Sequence, residues 1–326
     1  MSDALVLDRV RASERRSVRL SILVISRTAD LVNRLCAGLN EASSLPADQA
    51  EILCSWNGSE QDEELLKNTS RYDFHVAQHD PYHFAGNMNS LARKATGDVL
   101  MLANDDLVLD PGCVDEGMAV LSKHQKVGLV GARLRNNKGQ LTHAGIQFDS
   151  KYSSYHPLDQ LIKSSETKLS PGGPIAAVTG ALQWIRRRDF LKHPYNTSYQ
   201  VCGEDVELCL DVQEYLHQQV WLCNQATAIH ESETTRSQQP DQSQNSADLL
   251  RLRARTQSFI EQATTDQLRV LLEQQQRESQ QLRDLIREDL KELQTLEKEQ
   301  ERILMDLREE RLKLKQEIEI LKGGLQ

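Results

Sequence analysis

The chain has 326 residues, with 39 basic and 48 acidic side chains and a formal net charge of -9 at pH 7. This acidic balance argues against a nucleic-acid binder, which is normally basic. The sequence contains no apolar run near the roughly 18 residues of a membrane span, and its six cysteines form no CxxC pair of the kind that binds zinc. We therefore expect a protein without nucleic-acid partners, zinc ribbons or membrane-spanning helices.

The first 18 residues are polar and predict a flexible, solvated arm. Charges stand there where a signal peptide needs an apolar core, so we expect a cytoplasmic location. Its four arginines (Arg9, Arg11, Arg15 and Arg16) leave open a weak contact with anionic lipid headgroups. The alternative location is therefore peripheral, at the inner face of the membrane.

Short apolar runs alternate with helical stretches from Arg19 onward. Strands are predicted at residues 20–25, 51–55, 72–76 and 98–103, with helices at residues 31–39 and 86–95. Further on, short strands are predicted at 129–131 and 145–148, an apolar segment at 176–186, a helix at 205–215 and closing strands at 220–222 and 226–229. This alternation predicts an α/β fold with a mostly parallel sheet and helices on both faces.

The composition changes near the end of the chain. The last 81 residues, from Ser246, hold 17 acidic and 15 basic side chains, whereas the other 245 residues hold 55 of the 87 charges. No proline follows Pro240, and no glycine lies between Gly203 and Gly323. Residues 236–246 are polar apart from that proline and predict a linker, and residues 247–326 predict an extended helical tail.

The tail also carries a heptad pattern. In a frame that starts with Thr265 at position a, ten of the 17 a and d positions are apolar, most clearly over residues 282–307. Such a seam predicts a coiled coil and a homo-oligomer. A single helix that folds back on the preceding domain is the alternative.

Two adjacent carboxylates follow the predicted strand at residues 98–103, in the segment Asn104-Asp105-Asp106. Ligands bind beyond the carboxyl ends of strands in open α/β sheets. Carboxylate oxygens there suit a divalent cation held against a diphosphate. The plainer interpretation is that Asp105 and Asp106 cap a turn, which aspartate does well.

Four further polar residues with two possible roles each lie after the Asn104-Asp105-Asp106 segment. Glu204 and Asp205 begin a predicted helix, where acidic residues either stabilise the helix N-terminus or supply a general base. His230 follows a closing strand and is either a metal ligand or a surface histidine. His143 is either a cleft residue or part of a packed turn.

The order of these segments is more specific than any one of them. The series is SILVIS at 21–26, EILCSWNGS at 51–59, YHFAGNMN at 82–89, NDD at 104–106, VGLVGARL at 127–134, GQLTHAG at 139–145, TGA at 179–181, EDVELCL at 204–210 and HES at 230–232. Together these segments resemble the family 2 glycosyltransferases of GT-A fold, and the later ones resemble a bacterial subgroup that builds surface polysaccharides. The resemblance implies a Rossmann-like GT-A domain over residues 19–235.

The resemblance also implies roles for individual residues. Asp106 stands in the family's DxD motif and should bind Mn²⁺ or Mg²⁺, with His230 as a further ligand. Asp205 should be the general base of a single-displacement, inverting transfer, with Glu204 as the second candidate. The donor should contact Ser26, Arg27, Trp56, Asn57, Gly58, Asn89, Asn104 and Asp105.

The sequence departs from the family pattern at three places. Trp56 stands where the family has an aspartate that reads the nucleotide base, so its indole either stacks on the base or fills the site. Asn104 replaces the first carboxylate of the DxD motif. Residues 192–198 lack the family's Gly-Gly-Phe-Asp, which predicts a different acceptor loop.

These observations predict a metal-dependent, inverting glycosyltransferase of cell-surface polysaccharide synthesis. It would move a hexose or deoxyhexose from a nucleotide-sugar donor to a hydroxyl of a glycan or lipid-linked acceptor. Removal of an oligomerising tail should leave this chemistry intact. The alternative is a catalytically degenerate glycan- or nucleotide-binding module on a coiled-coil scaffold. Nucleotidyl transfer would require a glycine-rich basic loop, and residues 27–33 are not one.

Overall fold

The computed structural model describes residues 19–165, 172–231 and 243–323. The predicted arm at residues 1–18 and residues 236–242 of the predicted linker lie outside the described residues. The chain divides into two compact units, Met1–Gln274 and Gln275–Gln326. All the predicted site residues belong to the first unit.

The first half of this unit alternates strands and helices as predicted. The strands are β1 (Leu20–Ser26), β2 (Ala50–Trp56), β3 (Asp73–Gln78), β4 (Val99–Asn104), β5 (Leu107–Leu109) and β6 (Val127–Arg135). The helices are α1 (Ala29–Ala42), the short α2 (Glu60–Glu63), α3 (Phe84–Lys94) and α4 (Cys113–Lys123). The prediction missed α2, α4 and β5.

The second half has shorter strands and contains the helical tail. The strands are β7 (Leu141–His143), β8 (Gln147–Phe148), β9 (Ser154–Tyr155), β10 (Gly172–Ile175), β11 (Leu182–Arg186) and β12 (Gln219–His230). The helices are α5 (Arg187–Lys192), α6 (Glu204–Glu214), α7 (Ser243–Gln262) and α8 (Thr265–Gly323). The two predicted closing strands are one strand, β12, with an irregularity between Cys223 and Thr227.

The main sheet is mixed, with strand order β10-β12-β6-β11-β4-β1-β2-β3, β5 beside β12 and β7 beside β6. The predicted parallel pairing holds for β3, β2, β1 and β4, and for β6 with β12. In contrast, β5, β7, β10 and β11 run antiparallel to their neighbours. The expectation of a mostly parallel sheet is therefore corrected, because an apolar run indicates a strand without indicating its direction.

Burial explains why the first strands are so apolar. All seven side chains of β1 are buried, and so are six of the seven in β2, because these strands are covered on both faces. Helix α1 buries side chains three or four residues apart, including Leu31, Leu35 and Leu39, and this spacing keeps one face of the helix on the core.

The strand register brings the polar ends of the central strands together. Ser26 at the end of β1 pairs with Trp56 of β2, and Ile25 pairs with Asn104 at the end of β4. The carboxyl ends of three parallel strands therefore meet at one edge of the sheet, which is where α/β sheets bind ligands. The antiparallel pairing of β5 with β12 adds His230 to the same edge.

The tail consists of two helices, although the sequence pattern predicts one. Helix α7 begins at Ser243, inside the predicted linker, and ends at Gln262. Thr264 then caps α8: its hydroxyl accepts a bond from the backbone N–H of Gln267, whose side chain accepts one from the backbone N–H of Thr264. This reciprocal capping box explains the break.

The two parts of the tail differ in burial. Helix α7 packs in the first unit, and its Leu252 and Phe259 are each 3% exposed. Along the part of α8 in the second unit, Ile286, Leu293 and Leu296 are at least half exposed in this single chain. Across the ranges that the structure describes, no helix combines the length and apolarity needed to cross a membrane.

Candidate functional site

One cavity of about 480 Å³ opens at the carboxyl ends of the central strands. It brings together six of the predicted site residues from three parts of the chain. They are Asn104, Asp105, Asp106, Glu204, Asp205 and His230. The two acidic clusters that are distant in sequence thus face one space.

Asp105 lines the cavity and is bonded to the end of β1. It is 7% exposed, and its Oδ2 accepts a 2.6 Å hydrogen bond from the hydroxyl of Ser26. Burial raises the pKa of the Asp105 carboxyl to about 6, and neighbouring Asp106 acts in the same direction, whereas the bond from Ser26 lowers it. The Ser26 hydroxyl therefore holds the Asp105 carboxyl in place.

Asp106 faces His230 across the β4–β5 turn. Asp106 is 4% exposed, and its Oδ1 lies 3.2 Å from His230 Nε2. The side-chain nitrogen of Asn104 lies 3.3 Å from the same imidazole nitrogen. Apart from the imidazole, no described residue offers a hydrogen bond to Asp106 Oδ1. A buried carboxylate oxygen is thus left facing a ring nitrogen and little else.

This pair fits a divalent metal ion. Mg²⁺ binds through one or two carboxylates together with substrate phosphates and water, and imidazole suits the transition metals. Nowhere in residues 19–165, 172–231 and 243–323 do three or more His, Cys, Asp or Glu side chains converge as a metal site. The residues present therefore suit an ion whose remaining ligands come from a substrate and water.

The other side of the cavity is the N-terminus of α6. Gly203 is its N-cap, with φ of 111°, and Glu204 follows at 8% exposure. Asp205 Oδ2 accepts a 2.7 Å bond from the backbone N–H of Gly180, and its Oδ1 accepts a 2.8 Å bond from that of Val206. These bonds fix the orientation of a carboxylate that still lines the cavity.

His143 lies in the wall between the two clusters and is 1% exposed. Its Nε2 lies 3.3 Å from the backbone nitrogens of Gly145 and Thr179, and its Nδ1 lies 3.0 Å from His156 Nδ1. Since Nε2 accepts from two N–H groups, the proton of the neutral ring is on Nδ1 and is donated to His156. Burial holds the pKa of His143 well below its ordinary value, and His156 and His230 lower it further.

The predicted nucleotide contacts lie on the loops after β1 and β2. The backbone N–H of Asn57 donates to Ser26 O at 2.8 Å, and the guanidinium carbon of Arg27 lies 5.9 Å from the ring centre of Tyr82. A Cβ on Gly58 would lie 2.5 Å from Arg27 O, so only glycine allows the two loops to approach this closely. The 480 Å³ cavity itself is lined by none of the four predicted residues on these loops, which are Ser26, Arg27, Asn57 and Gly58.

Trp56 lies in the hydrophobic core, at 1% exposure. Its indole nitrogen donates to Ser59 O at 3.2 Å, and its ring lies directly beneath Gly58. Of the two alternatives for this residue, burial favours a ring that fills the site over a ring that stacks on a nucleotide base.

Asn89, a further predicted donor contact, is bonded to the backbone of Tyr195. Its side-chain nitrogen donates to Tyr195 O at 2.8 Å, and its side-chain oxygen accepts from the backbone N–H of Tyr195 at 3.0 Å. Asn89 is 6% exposed. With both polar atoms engaged, Asn89 positions the segment after α5, and its donor contact stays a prediction.

Sequence reasoning missed the contribution of helix α7. Leu249 and Leu252 line the same cavity, and so do residues 200–202 in the segment before α6. Among the alternatives for the tail, one allows for this contribution, a helix that folds back on the preceding domain. That alternative holds for α7. We therefore correct the expectation that the whole tail is dispensable for the site.

Comparison with sequence families gives one match over just over half of the chain. The family model described as Glycosyl transferase family 2 matches residues 21–193. Those residues include β1 to β4 and the Asn104-Asp105-Asp106 turn, and they end before α6.

Two curated proteins are similar over a longer stretch. The O-antigen biosynthesis protein RfbC of Myxococcus xanthus is 28% identical over 228 residues, covering 64% of this chain and 17% of that protein. The uncharacterized protein y4gI of Sinorhizobium fredii is 26% identical over 186 residues, covering 55% of this chain and 19% of that protein. The matches thus span less than a fifth of each relative.

Solved structures support the fold. The mannosyltransferase PcManGT from Pyrobaculum calidifontis, in complex with GDP-Man and Mn²⁺, has a TM-score of 0.54 at 13% identity, over 83% of this chain and 76% of that one. GalNAc-T7 with UDP, GalNAc and Mn²⁺ has a TM-score of 0.52 at 14% identity, over 67% and 44%. At these identities the likeness shows a GT-A-like α/β fold.

Proposed function

Because the chain belongs to glycosyl transferase family 2, we propose that it transfers a sugar from a nucleotide-sugar donor to a hydroxyl group of an acceptor. The observation that carries the proposal is the single cavity that holds Asp106 and His230 on one side and Glu204 and Asp205 on the other. Sugar transfer needs both a site for the donor diphosphate and a base for the acceptor, and the cavity offers groups suited to each.

Asp106 and His230 are the residues that would hold the divalent cation of this reaction. When bound, Mn²⁺ or Mg²⁺ would offset the negative charge that grows on the leaving diphosphate. The side-chain nitrogen of Asn104 lies beside the His230 imidazole nitrogen Nε2, at 3.3 Å. The bond from Ser26 directs Asp105 toward β1, whereas Asp106 presents its Oδ1 to His230 Nε2 at 3.2 Å.

Asp205 is our candidate for the general base. Its backbone bonds to Gly180 and Val206 hold the carboxylate in place while it lines the cavity. It would take the proton of the acceptor hydroxyl as that oxygen bonds to the anomeric carbon and the bond to the diphosphate breaks. Attack from the face opposite the diphosphate inverts the anomeric configuration. Glu204 is the second candidate.

We place the reaction in cell-surface polysaccharide synthesis, with a glycan or lipid-linked acceptor. The support is the similarity to a relative named as an O-antigen biosynthesis protein. The residues that the family model matches end at 193, before α6 and α7.

We also propose that α8 self-associates as a coiled coil. The a and d side chains Ile286, Leu293, Leu296, Ile303 and Leu307 are 48–60% exposed in the single chain. A row of such residues along a helix is buried when two or more copies pair, and this supports a homo-oligomer.

A catalytically degenerate binding module remains the second candidate. Burial of Trp56, where the family places the residue that reads the nucleotide base, is the observation that favours it. A degenerate module would bind a glycan or nucleotide without turnover.

A donor panel distinguishes these two functions. The full chain is incubated with UDP-, GDP- and dTDP-linked hexoses and deoxyhexoses in Mn²⁺, Mg²⁺ or EDTA, and the released nucleoside diphosphate is measured. We expect release from one nucleotide class, only with a divalent cation, and an inverted anomer in the product. Binding of a nucleotide without release in any condition would favour the degenerate module.

A further inference from the structure

Helix α7 holds the segment before the acidic motif through one buried carboxylate. Asp248 is 1% exposed. Its Oδ2 lies 2.8 Å from the backbone nitrogen of Gln200, 2.7 Å from that of Val201 and 3.3 Å from that of Cys202. Three successive N–H groups thus donate to one oxygen. Hydrogen bonds to an ionised carboxylate are roughly twice as strong as neutral ones.

Arg251, one turn further along α7, compensates the charge of Asp248. Its Nη1 lies 3.1 Å from Asp248 Oδ1 and donates to Ser198 O at 2.8 Å. Its guanidinium carbon lies 5.3 Å from the ring centre of Tyr199. A buried carboxylate is costly unless it is paired and hydrogen-bonded, and this one is both.

The segment held by Asp248 leads directly into α6. Residues 200–202 line the cavity, and Gly203 and Glu204 follow without a break. The residues just before this segment are bonded to α6, where Glu207 accepts a 2.5 Å bond from the Tyr199 hydroxyl and a 2.9 Å bond from the side chain of Asn196. The segment is therefore fixed between α6 and α7.

We propose that Asp248 is a positioning residue of the active site, and that α7 is a part of the glycosyltransferase unit rather than of the oligomerisation tail. By holding the N–H groups of residues 200–202, Asp248 sets where α6 begins and how Glu204 and Asp205 face the cavity. This proposal rests on the proposed function. It also means that the family-matched residues 21–193 do not contain a complete site.

The test uses the full chain with Asp248→Ala, Asp248→Asn and a control, Leu250→Ala. Leu250 lies on the same helix, is 65% exposed and does not line the cavity. Amide hydrogen exchange reports whether the N–H groups of residues 200–202 are still held. Release of nucleoside diphosphate from the donor panel with Mn²⁺ gives kcat and the donor KM.

We expect faster exchange at residues 200–202 in Asp248→Ala, with kcat lower by roughly 10- to 100-fold, because small misplacements of a catalytic group have effects of this size. The donor KM should be unchanged, since the diphosphate side of the cavity is untouched. Asp248→Asn should show smaller changes in exchange and kcat, in the same direction. If Asp248→Ala does not fold, the exchange and kcat of Asp248→Asn test the proposal instead. Leu250→Ala should match the wild type.

Unchanged exchange, or an unchanged kcat in a folded variant with faster exchange, would overturn the proposal. A donor KM that rises while kcat stays constant would also overturn it. If the wild type releases no diphosphate from any donor, the proposed function fails. The exchange measurement still shows in that case whether Asp248 holds the segment.

Discussion

The imidazole Nε2 of His230 lies 3.2 Å from Oδ1 of Asp106, where the end of β12 meets the β4–β5 turn. The two residues are far apart in sequence, and the antiparallel pairing of β5 with β12 brings them together. No hydrogen bond from the described residues reaches Asp106 Oδ1, so this buried oxygen is free to bind a metal ion.

Asp106→Asn and His230→Ala should each weaken Mn²⁺-dependent nucleotide binding. Loss of an outer-shell partner already weakens metal sites roughly 10- to 100-fold, so loss of a ligand should have at least that effect. Calorimetric titration of the preferred nucleoside diphosphate, with Mn²⁺ and with EDTA, measures it. Glu231→Gln is the control, since Glu231 pairs with Arg34. Equal Mn²⁺ dependence in both variants and the wild type would contradict the assignment.

Asp205→Asn should abolish most of the transfer while leaving donor binding intact. The amide keeps an oxygen for the Gly180 N–H bond but cannot take a proton, so kcat should fall by roughly 10²- to 10⁴-fold. Glu204→Gln tests the second candidate in the same assay. Asp159→Asn, an exposed carboxylate in the same cavity, is the matched control and should retain kcat. If only Glu204→Gln loses kcat, the two roles are exchanged.

The sequence predicts the central strands well, because strands that are buried on both faces are nearly continuous apolar runs. The runs at residues 20–25 and 98–103 correspond to β1 and β4 almost residue for residue. It also predicts that Asn104-Asp105-Asp106 follows a strand. The direction of β11 and the pairing of β5 with β12 depend on loops and long-range contacts, which periodicity does not record.

The part of the site that sequence reasoning missed depends on one docked helix. The capping signal at Thr264 and Gln267 is present in the sequence and marks the break between α7 and α8. Asp248, in contrast, is one acidic residue in a highly charged tail. Its importance depends on three backbone N–H groups of a distant segment, and no spacing of residues indicates that contact.

Gly203→Ala should destabilise the first unit. Its φ of 111° is a conformation that L side chains rarely adopt, and an added Cβ would lie 2.7 Å from the Tyr199 ring. We expect a loss of about 1–3 kcal/mol in the free energy of unfolding. Gly38→Ala in α1 is the opposite control, because no described heavy atom lies within 4 Å of its added Cβ. It should stabilise by about 0.5–1 kcal/mol, and urea unfolding measures both.

His143 should make the protein less stable in acid. The folded state depresses the pKa of His143, whereas the unfolded chain takes up the proton near pH 6.5. Stability is therefore lost as pH falls below about 6.5, with a slope of up to about 1.4 kcal/mol per pH unit from this group. In His143→Gln, which keeps an acceptor for the Thr179 N–H, urea midpoints between pH 5 and 7.5 should vary less. An identical pH profile would show that other groups set the acid sensitivity.

Two truncations separate the roles of α7 and α8. A chain that ends at Gln280 keeps α7 and the contact of the buried Gln274 side chain with the backbone N–H of Ala176, and it removes the heptads from Ile286 onward. Light scattering should show a monomer, with the kcat for diphosphate release unchanged.

A chain that ends at residue 242 also loses the buried side chains of Leu252 and Phe259, each of which is expected to stabilise by about 2–5 kcal/mol. That chain should melt at a lower temperature, and even if it folds its kcat should fall at least as far as that of Asp248→Ala, because Asp248 is gone. Full turnover without α7 would mean that residues 19–231 form a complete enzyme.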